Sequence, residues 1–177
     1  MSRIATIEID GKKFELPIIK GTENELAIDI KKLRLLTGGI TTIDSGFKNT
    51  GSCESAITFM DGEKGILRYR GYSIEDLAEK ANFLEVAYLL IFGDLPNAEE
   101  LEKFHNDIKA QAHVDEDVKK IIDGFPKAAH PMGVLSSLTS ALVAFNPTSV
   151  NVDSEEEMYD AIVRILGKFP VLTAWAY

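Results

Sequence analysis

The 177 residues encode a mainly α-helical body preceded by a small β-rich segment. Three observations lead there. Ile4, Thr6 and Glu8 alternate with Ala5, Ile7 and Ile9 ahead of an Asp10-Gly11 turn, the pattern of a strand entering a hairpin. From Ser73 onward the spacing of apolar positions lengthens from two residues to about 3.6. The helical stretch is punctuated by start signals: Ser73 with Asp76, Asn82 with Glu85, Asn97 with Glu100 and Ser154 with Glu157.

The elements follow in order. Lys13 to Ile18 returns from the Asp10-Gly11 turn, and Pro17 predicts an edge position or a strand end, because proline has no N–H for a ladder. Gly21 to Gly51 is rich in Thr, Gly, Asp and Asn and reads as loops, with helical turns around Asp29 to Leu36. Ala56 to Met60 and Gly65 to Tyr69 form a second hairpin about Asp61-Gly62. The helix after Asn82 carries Phe83, Val86, Ala87, Leu89, Leu90 and Ile91, an apolar coverage that predicts burial on several sides, and Gly93 caps its end. Leu101, Phe104, Ile108 and Ala112 make one stripe on the next helix. Asp115 caps a fourth helix with Val118, Ile121 and Ile122 inward. Pro131 starts a fifth, running to about Phe145 and ended by Asn146-Pro147. Pro170 kinks or restarts the sixth. Residues 1–50 read as the β-rich appendage and 51–177 as the helical body. No Gly, Pro or basic turn stops the apolar run VLTAWAY, which reads as a helix cut short.

Composition narrows the function. Charged residues make up 27% and hydrophobic ones 45%, ordinary globular values. A net charge of −9 repels a phosphate backbone, so nucleic acid is not an expected partner. The apolar runs VAYLLIFG and GVLSSLTSALVAF are too short or too polar to span a bilayer, and the first residues lack the apolar core of a secretory signal. With a single cysteine, Cys53, neither an internal disulfide nor a thiolate zinc site is available. A cytoplasmic location is expected. Cys53 has no cationic neighbour before Lys64 and reads as an inert buried thiol.

The stretch SCESAITFMDGEKGILRYRGYSIEDLAEKANFLEVAYLLIFGDLPNAEELEKF resembles the N-terminal portion of type II (bacterial) citrate synthases, as do FPKAAHPMGVLSSLTSALVAF, KGTENELAIDIKKLR and TTIDSGF. Gly65, Tyr69-Arg70-Gly71-Tyr72, Ile74, Leu77 and His130-Pro131-Met132 carry the likeness. The resemblance implies a helical fold with a large and a small domain, of which this chain holds the first part of the large one, cut before the catalytic regions. The parent reaction would condense acetyl-CoA with oxaloacetate and water to citrate and CoA at the entry to the tricarboxylic acid cycle. A carboxylate would take a proton from the acetyl methyl, one histidine would stabilise the enol, and another would polarise the oxaloacetate carbonyl. The family's histidines sit in motifs resembling Gly-Pro-x-His-Gly-Gly-Ala and a later Gly-His. Neither occurs here, so no catalytic residue is assigned and the chain alone is expected to be inactive, with no cofactor or metal bound.

His105 and His113 are eight apart, too far for an i, i+4 metal pair, and read as surface histidines. His130 precedes Pro131, where its ring can bond the backbone of the turn. Arg68 and Arg70 share a face if both lie on a strand and then offer an anion site; the resemblance instead makes Arg70-Gly71-Tyr72 a turn. Arg164 and Lys168, at i, i+4, match basic positions that bind nucleotide phosphates in NADH-regulated type II enzymes. Those enzymes also carry an Arg-His-Thr-Met-like run, which here reads Ala110-Gln111-Ala112-His113. The pair therefore reads first as a solvated or salt-bridged helix face. Small residues at Gly133, Ser136, Ser137, Ser140, Ala141 and Ala144 allow close helix approach. The resemblance implies that helices around 131–145 and 154–177 pair with their twofold mates in a homo-oligomer. Two further readings stay open, a standalone dimerising module and a 2-methylcitrate synthase fragment.

Overall fold

The computed structural model describes residues 3–146 and 153–177. The chain divides into two compact units, residues 1–55 and 56–177.

In the first unit β1 (Arg3–Ile9), β2 (Lys12–Lys20) and β3 (Leu26–Ile28) form an antiparallel sheet in the order β1-β2-β3. Ile9 pairs with Lys12, so Asp10 and Gly11 alone make the turn. Both have positive φ, 50° and 75°, as a type I′ hairpin requires. Pro17 is neither on an edge strand nor at a strand end. It lies within β2, the middle strand, opposite Ile4. Alternation from the turn makes that a pair without mutual hydrogen bonds, which is where the missing N–H does not break the β1 ladder. Its carbonyl accepts from the N–H of Asp29 at 2.8 Å. The helical turn α1 (Leu33–Thr37) packs on β2, with Leu33 and Leu16 buried and Gly38 closing it at φ 75°. Beyond it the Asp44 carboxylate gathers the N–H groups of Lys48 and Asn49 and the Thr50 hydroxyl, and those bonds hold its pKa down. Cys53, expected to be buried, is exposed. The loop around it brings no apolar element over the thiol.

The second unit begins with β4 (Thr58–Asp61), β5 (Ile66–Tyr69) and the two-residue β6 (Tyr72–Ser73), paired in that order. Six helices follow: α2 (Ile74–Lys80), α3 (Phe83–Phe92), α4 (Ala98–Ala110), α5 (Asp117–Asp123), α6 (Pro131–Phe145) and α7 (Glu155–Ala176). The sequence signals are realised at most of their starts. Ser73 Oγ accepts from the Asp76 N–H, and Asn82–Glu85 and Asn97–Glu100 close complete capping boxes. Gly93 ends α3 at φ 101°. At α5 the N-cap is Glu116 rather than Asp115, whose carboxylate instead accepts from the Asp117 N–H at 2.8 Å. α7 runs through Pro170 as one helix of 22 residues, about 33 Å at 1.5 Å per residue. Pro147 lies outside the described residues.

The main core joins α5, α6 and α7 through Val114, Val118, Val134, Leu135, Leu138 and Leu172, with Phe125, Leu142, Phe145 and Trp175 packed around them. A second cluster stacks Tyr88, Phe92, Phe104 and Tyr159, joining α3, α4 and α7 with ring centroids 4.4–6.0 Å apart. α3 is not buried on several sides. Leu89 is its one fully buried residue, Phe83 is 72% exposed, and Ile91 and Phe92 also reach solvent. α4 is its main helical neighbour, with Tyr159 of α7 touching Phe92, and Phe83, Ile91 and Phe92 keep part of their apolar surface exposed.

Candidate functional site

The densest chemistry of the second unit lies along the seam of α4 and α7. Gly167 is what lets the helices meet. A Cβ at this position would stand 2.5 Å from the carbonyl oxygen of Ile108 and about 3 Å from the backbone of Gln111 and Ala112. One helical turn along α7 from Gly167, Arg164 is half-buried with Nη1 lacking a partner among the described residues. Lys168 gives its ammonium to the carbonyl oxygen of His113, in the segment just past α4. Burial first, and the Arg164 charge second, push the Lys168 pKa down. Neither side chain holds an ion pair among the described residues. Two cations stand one turn apart on α7, an arrangement whose repulsion an anion would relieve.

Two turns toward the start of α7, Tyr159 ties the same seam. Its hydroxyl donates to Asp107 Oδ2 at 2.6 Å, and Lys103 Nζ reaches that oxygen at 2.6 Å while lying 4.7 Å from the Tyr159 ring centroid. The Lys103 bond first, and the Tyr159 bond second, hold the Asp107 carboxyl below its ordinary range. Burial, then the bond to Asp107, push the Tyr159 phenol up. Lys103 and Asp107 announce themselves as an i, i+4 pair. Nothing local in sequence joins them to a tyrosine 52 residues away, and nothing marks Gly167.

Arg70 and Gly71 form the turn between β5 and β6 with φ of 51° and 93°. Arg70 is therefore off the strand and shares no face with Arg68. Its Nη2 donates to the Leu90 carbonyl at 2.9 Å near the end of α3, while Tyr72 Oη donates to Asp94 at 2.8 Å. The turn clasps the exit of α3. His130 is the N-cap of α6, its Nδ1 accepting from the Met132 N–H at 3.2 Å. His105 and His113 are both exposed, and no group of three or more metal-ligating side chains occurs among the described residues.

The outward side of α6 exposes Met132, Gly133, Ser136, Ser137, Ser140, Val143 and Ala144, and α7 exposes Met158, Ile165 and Phe169. The hydroxyls of Ser137, Thr139 and Ser140 each donate to the carbonyl four residues back. No helix among the described residues is long and apolar enough to cross a membrane.

The family model described as citrate synthase, C-terminal domain, matches residues 46–177. The chain belongs to the citrate synthase family. Citrate synthase 1 of Mycobacterium tuberculosis is 43% identical over 173 residues, covering 98% of this chain and 40% of the relative. The citrate synthase of Corynebacterium glutamicum is also 43% identical, with 98% of this chain and 39% of the relative covered. The chain thus spans about two-fifths of the length of these relatives. Among solved citrate synthases, that of Thermotoga maritima superposes with a TM-score of 0.64 at 32% identity, covering 77% of this chain and 34% of its own. The Thermoplasma acidophilum enzyme, solved as a ternary complex with carboxymethyl coenzyme A and oxaloacetate, gives 0.69 at 26% identity, covering 77% and 35%. The helical citrate-synthase fold expected for the body agrees with these neighbours.

Proposed function

We propose that this chain is the N-terminal portion of a type II citrate synthase, the parent joining acetyl-CoA and oxaloacetate to give citrate and CoA. The observation that carries the reading is the pairing of 98% coverage of this chain with 40% coverage of a citrate synthase 43% identical to it. In that reaction a base takes a proton from the acetyl methyl, the enol carbon attacks the oxaloacetate carbonyl, and water then cleaves the thioester. The chain supplies neither a Gly-Pro-x-His-Gly-Gly-Ala run nor a Gly-His pair for those steps. By itself it is a scaffold piece without turnover. Acting in the cytoplasm, it assembles with copies of itself through α6 and α7, whose outward sides carry Met132, Val143, Ile165 and Phe169. A nucleotide phosphate would be met at Arg164 and Lys168.

The test follows CoA thiol release from acetyl-CoA and oxaloacetate. The chain alone is expected to match the protein-free blank, and activity should appear on adding a polypeptide corresponding to the remaining length of the Corynebacterium relative. Turnover by the chain alone refutes the assignment of no catalytic residue. Failure of the mixture, with both parts folded, refutes the scaffold reading.

A further inference from the structure

Beside the uncovered flank of α3 lies a groove of about 470 Å³, lined by Asn82, Leu84, Ala98, Leu101, Glu102 and His105. Its floor is apolar, Glu102 lines it, and the sequence that supplies it is acidic. Between Glu75 and Glu102 eight carboxylates stand against one lysine, a net of −7 within a chain of −9. Lys80, that one lysine, is already paired with Asp76 at 2.5 Å. Glu102 lines the groove and holds no ion pair among the described residues. The occupant such a groove selects is a short cationic segment with an apolar side chain to insert.

The chain carries such a segment. In Ile30–Leu36, IKKLRLL, Leu33 is buried against the first unit's own sheet, while Leu35 is 83% exposed and Leu36 also faces solvent. Lys31, Lys32 and Arg34 precede them, exposed and without ion pairs among the described residues. An exposed leucine just after three cations has an unfavourable apolar surface beside an uncompensated charge. The groove answers both.

We propose that the groove takes α1 of a second copy of this chain, with Leu35 seated on Leu84 and Leu101 and the cations of α1 facing Glu102 and its acidic neighbours. Each copy offers both halves, so a reciprocal exchange makes the contact twice in one closed dimer. This surface is separate from the outward sides of α6 and α7 and does not depend on how they assemble.

The contact is tested by disulfide trapping in a Cys53→Ser background. Chains bearing Leu35→Cys are mixed with chains bearing Ala98→Cys, both positions being exposed. A mixed disulfide is expected to form at least tenfold faster than with a control pair in which Ile43→Cys, exposed and off the groove, replaces Leu35→Cys. A rate equal to the control overturns the proposal. So does a bridge that forms only inside single chains carrying both cysteines, or a chain that stays monomeric. Sedimentation supplies a second readout. Leu35→Asp, Lys32→Glu or Glu102→Lys should each weaken self-association several-fold, more at 50 mM than at 500 mM salt. Combining Lys32→Glu with Glu102→Lys should recover most of the loss; a double variant weaker than either single one contradicts the pairing.

Discussion

Gly167 of α7 touches the last turn of α4 so closely that a methyl group on it would overlap the Ile108 carbonyl oxygen, at 2.5 Å. The obstacle is backbone on both sides, which cannot rotate away as a side chain would. Gly167→Ala is therefore expected to lower unfolding free energy by about 1–3 kcal/mol, even though alanine is the better helix former. Denaturant titration with an unchanged m-value checks it. A stabilised variant would mean that the two helices can part without loss.

Asp107 gives the seam a pH dependence. Its folded-state pKa lies below the unfolded value, so its stabilising bonds to Lys103 and Tyr159 are fully present above the unfolded pKa of about 4. They are lost as pH falls through the lower folded value. Unfolding midpoints should start to drop below about pH 5 and keep dropping until the pH has passed the lower folded value, and Asp107→Asn should flatten part of that drop. Tyr159→Phe, which keeps the ring cluster, should cost about 1 kcal/mol at pH 7.

Lys168 works in the opposite pH range. Its ammonium is held below the ordinary lysine value, so near pH 10 the folded state binds fewer protons than the unfolded chain. This group's contribution to stability therefore rises with pH just below about 10.4, and Lys168→Met should remove the rise. NADH titration of wild type and Arg164→Ala, read by Trp175 fluorescence, tests the phosphate contact. Binding indifferent to Arg164 would remove that arginine from the site.

Arg70 is in the left-handed region, which costs a side chain about 1–2 kcal/mol, yet its guanidinium holds the Leu90 carbonyl. Arg70→Ala loses the bond and keeps the strain, so it should destabilise by about 2–3 kcal/mol. Arg70→Gly loses the same bond but relieves the backbone and should be milder by about 1 kcal/mol. Equal losses in thermal melts would show that the φ of this residue is not what the turn depends on.

The proposed α6 and α7 assembly surface is tested by Val143→Glu with Ile165→Glu. Both residues are exposed, so the fold should be preserved while self-association weakens at least tenfold in sedimentation. The same variant should leave trapping between Leu35→Cys and Ala98→Cys unaffected.

Much of the fold was legible because its signals are local. A cap residue speaks for the three N–H groups that follow it, and Asn82, Asn97, Ser73 and Ser154 each start the helix that their spacing announced. Asp10-Gly11 set the first hairpin for the same reason. What failed depended on contacts distant in sequence. Pro17 belongs to a middle strand because β3, three residues long, arrives from the far side of a loop. The burial expected for α3 assumed neighbours on every side of an apolar helix, and the structure leaves Phe83, Ile91 and Phe92 partly in solvent. Cys53 is exposed where a buried thiol was expected, because the loop that carries it is not packed under an apolar element. At the candidate site, the i, i+4 spacing of Arg164 and Lys168 was plain. That Lys168 ends on the His113 carbonyl follows only from the approach that Gly167 permits.

The serines of α6 give its outward side a character that composition hides. A hydroxyl already bonded to the carbonyl one turn behind it has little left to offer solvent, so Ser137 and Ser140 hold their hydration water loosely. Covering these two serines strips few strong water contacts and leaves neither hydroxyl proton stranded in a dry interface. Association there should therefore show the heat-capacity decrease of an oily contact although Ser136, Ser137 and Ser140 lie on it. A helix can look hydrophilic in letters and still behave, to a partner, as a nearly dry surface.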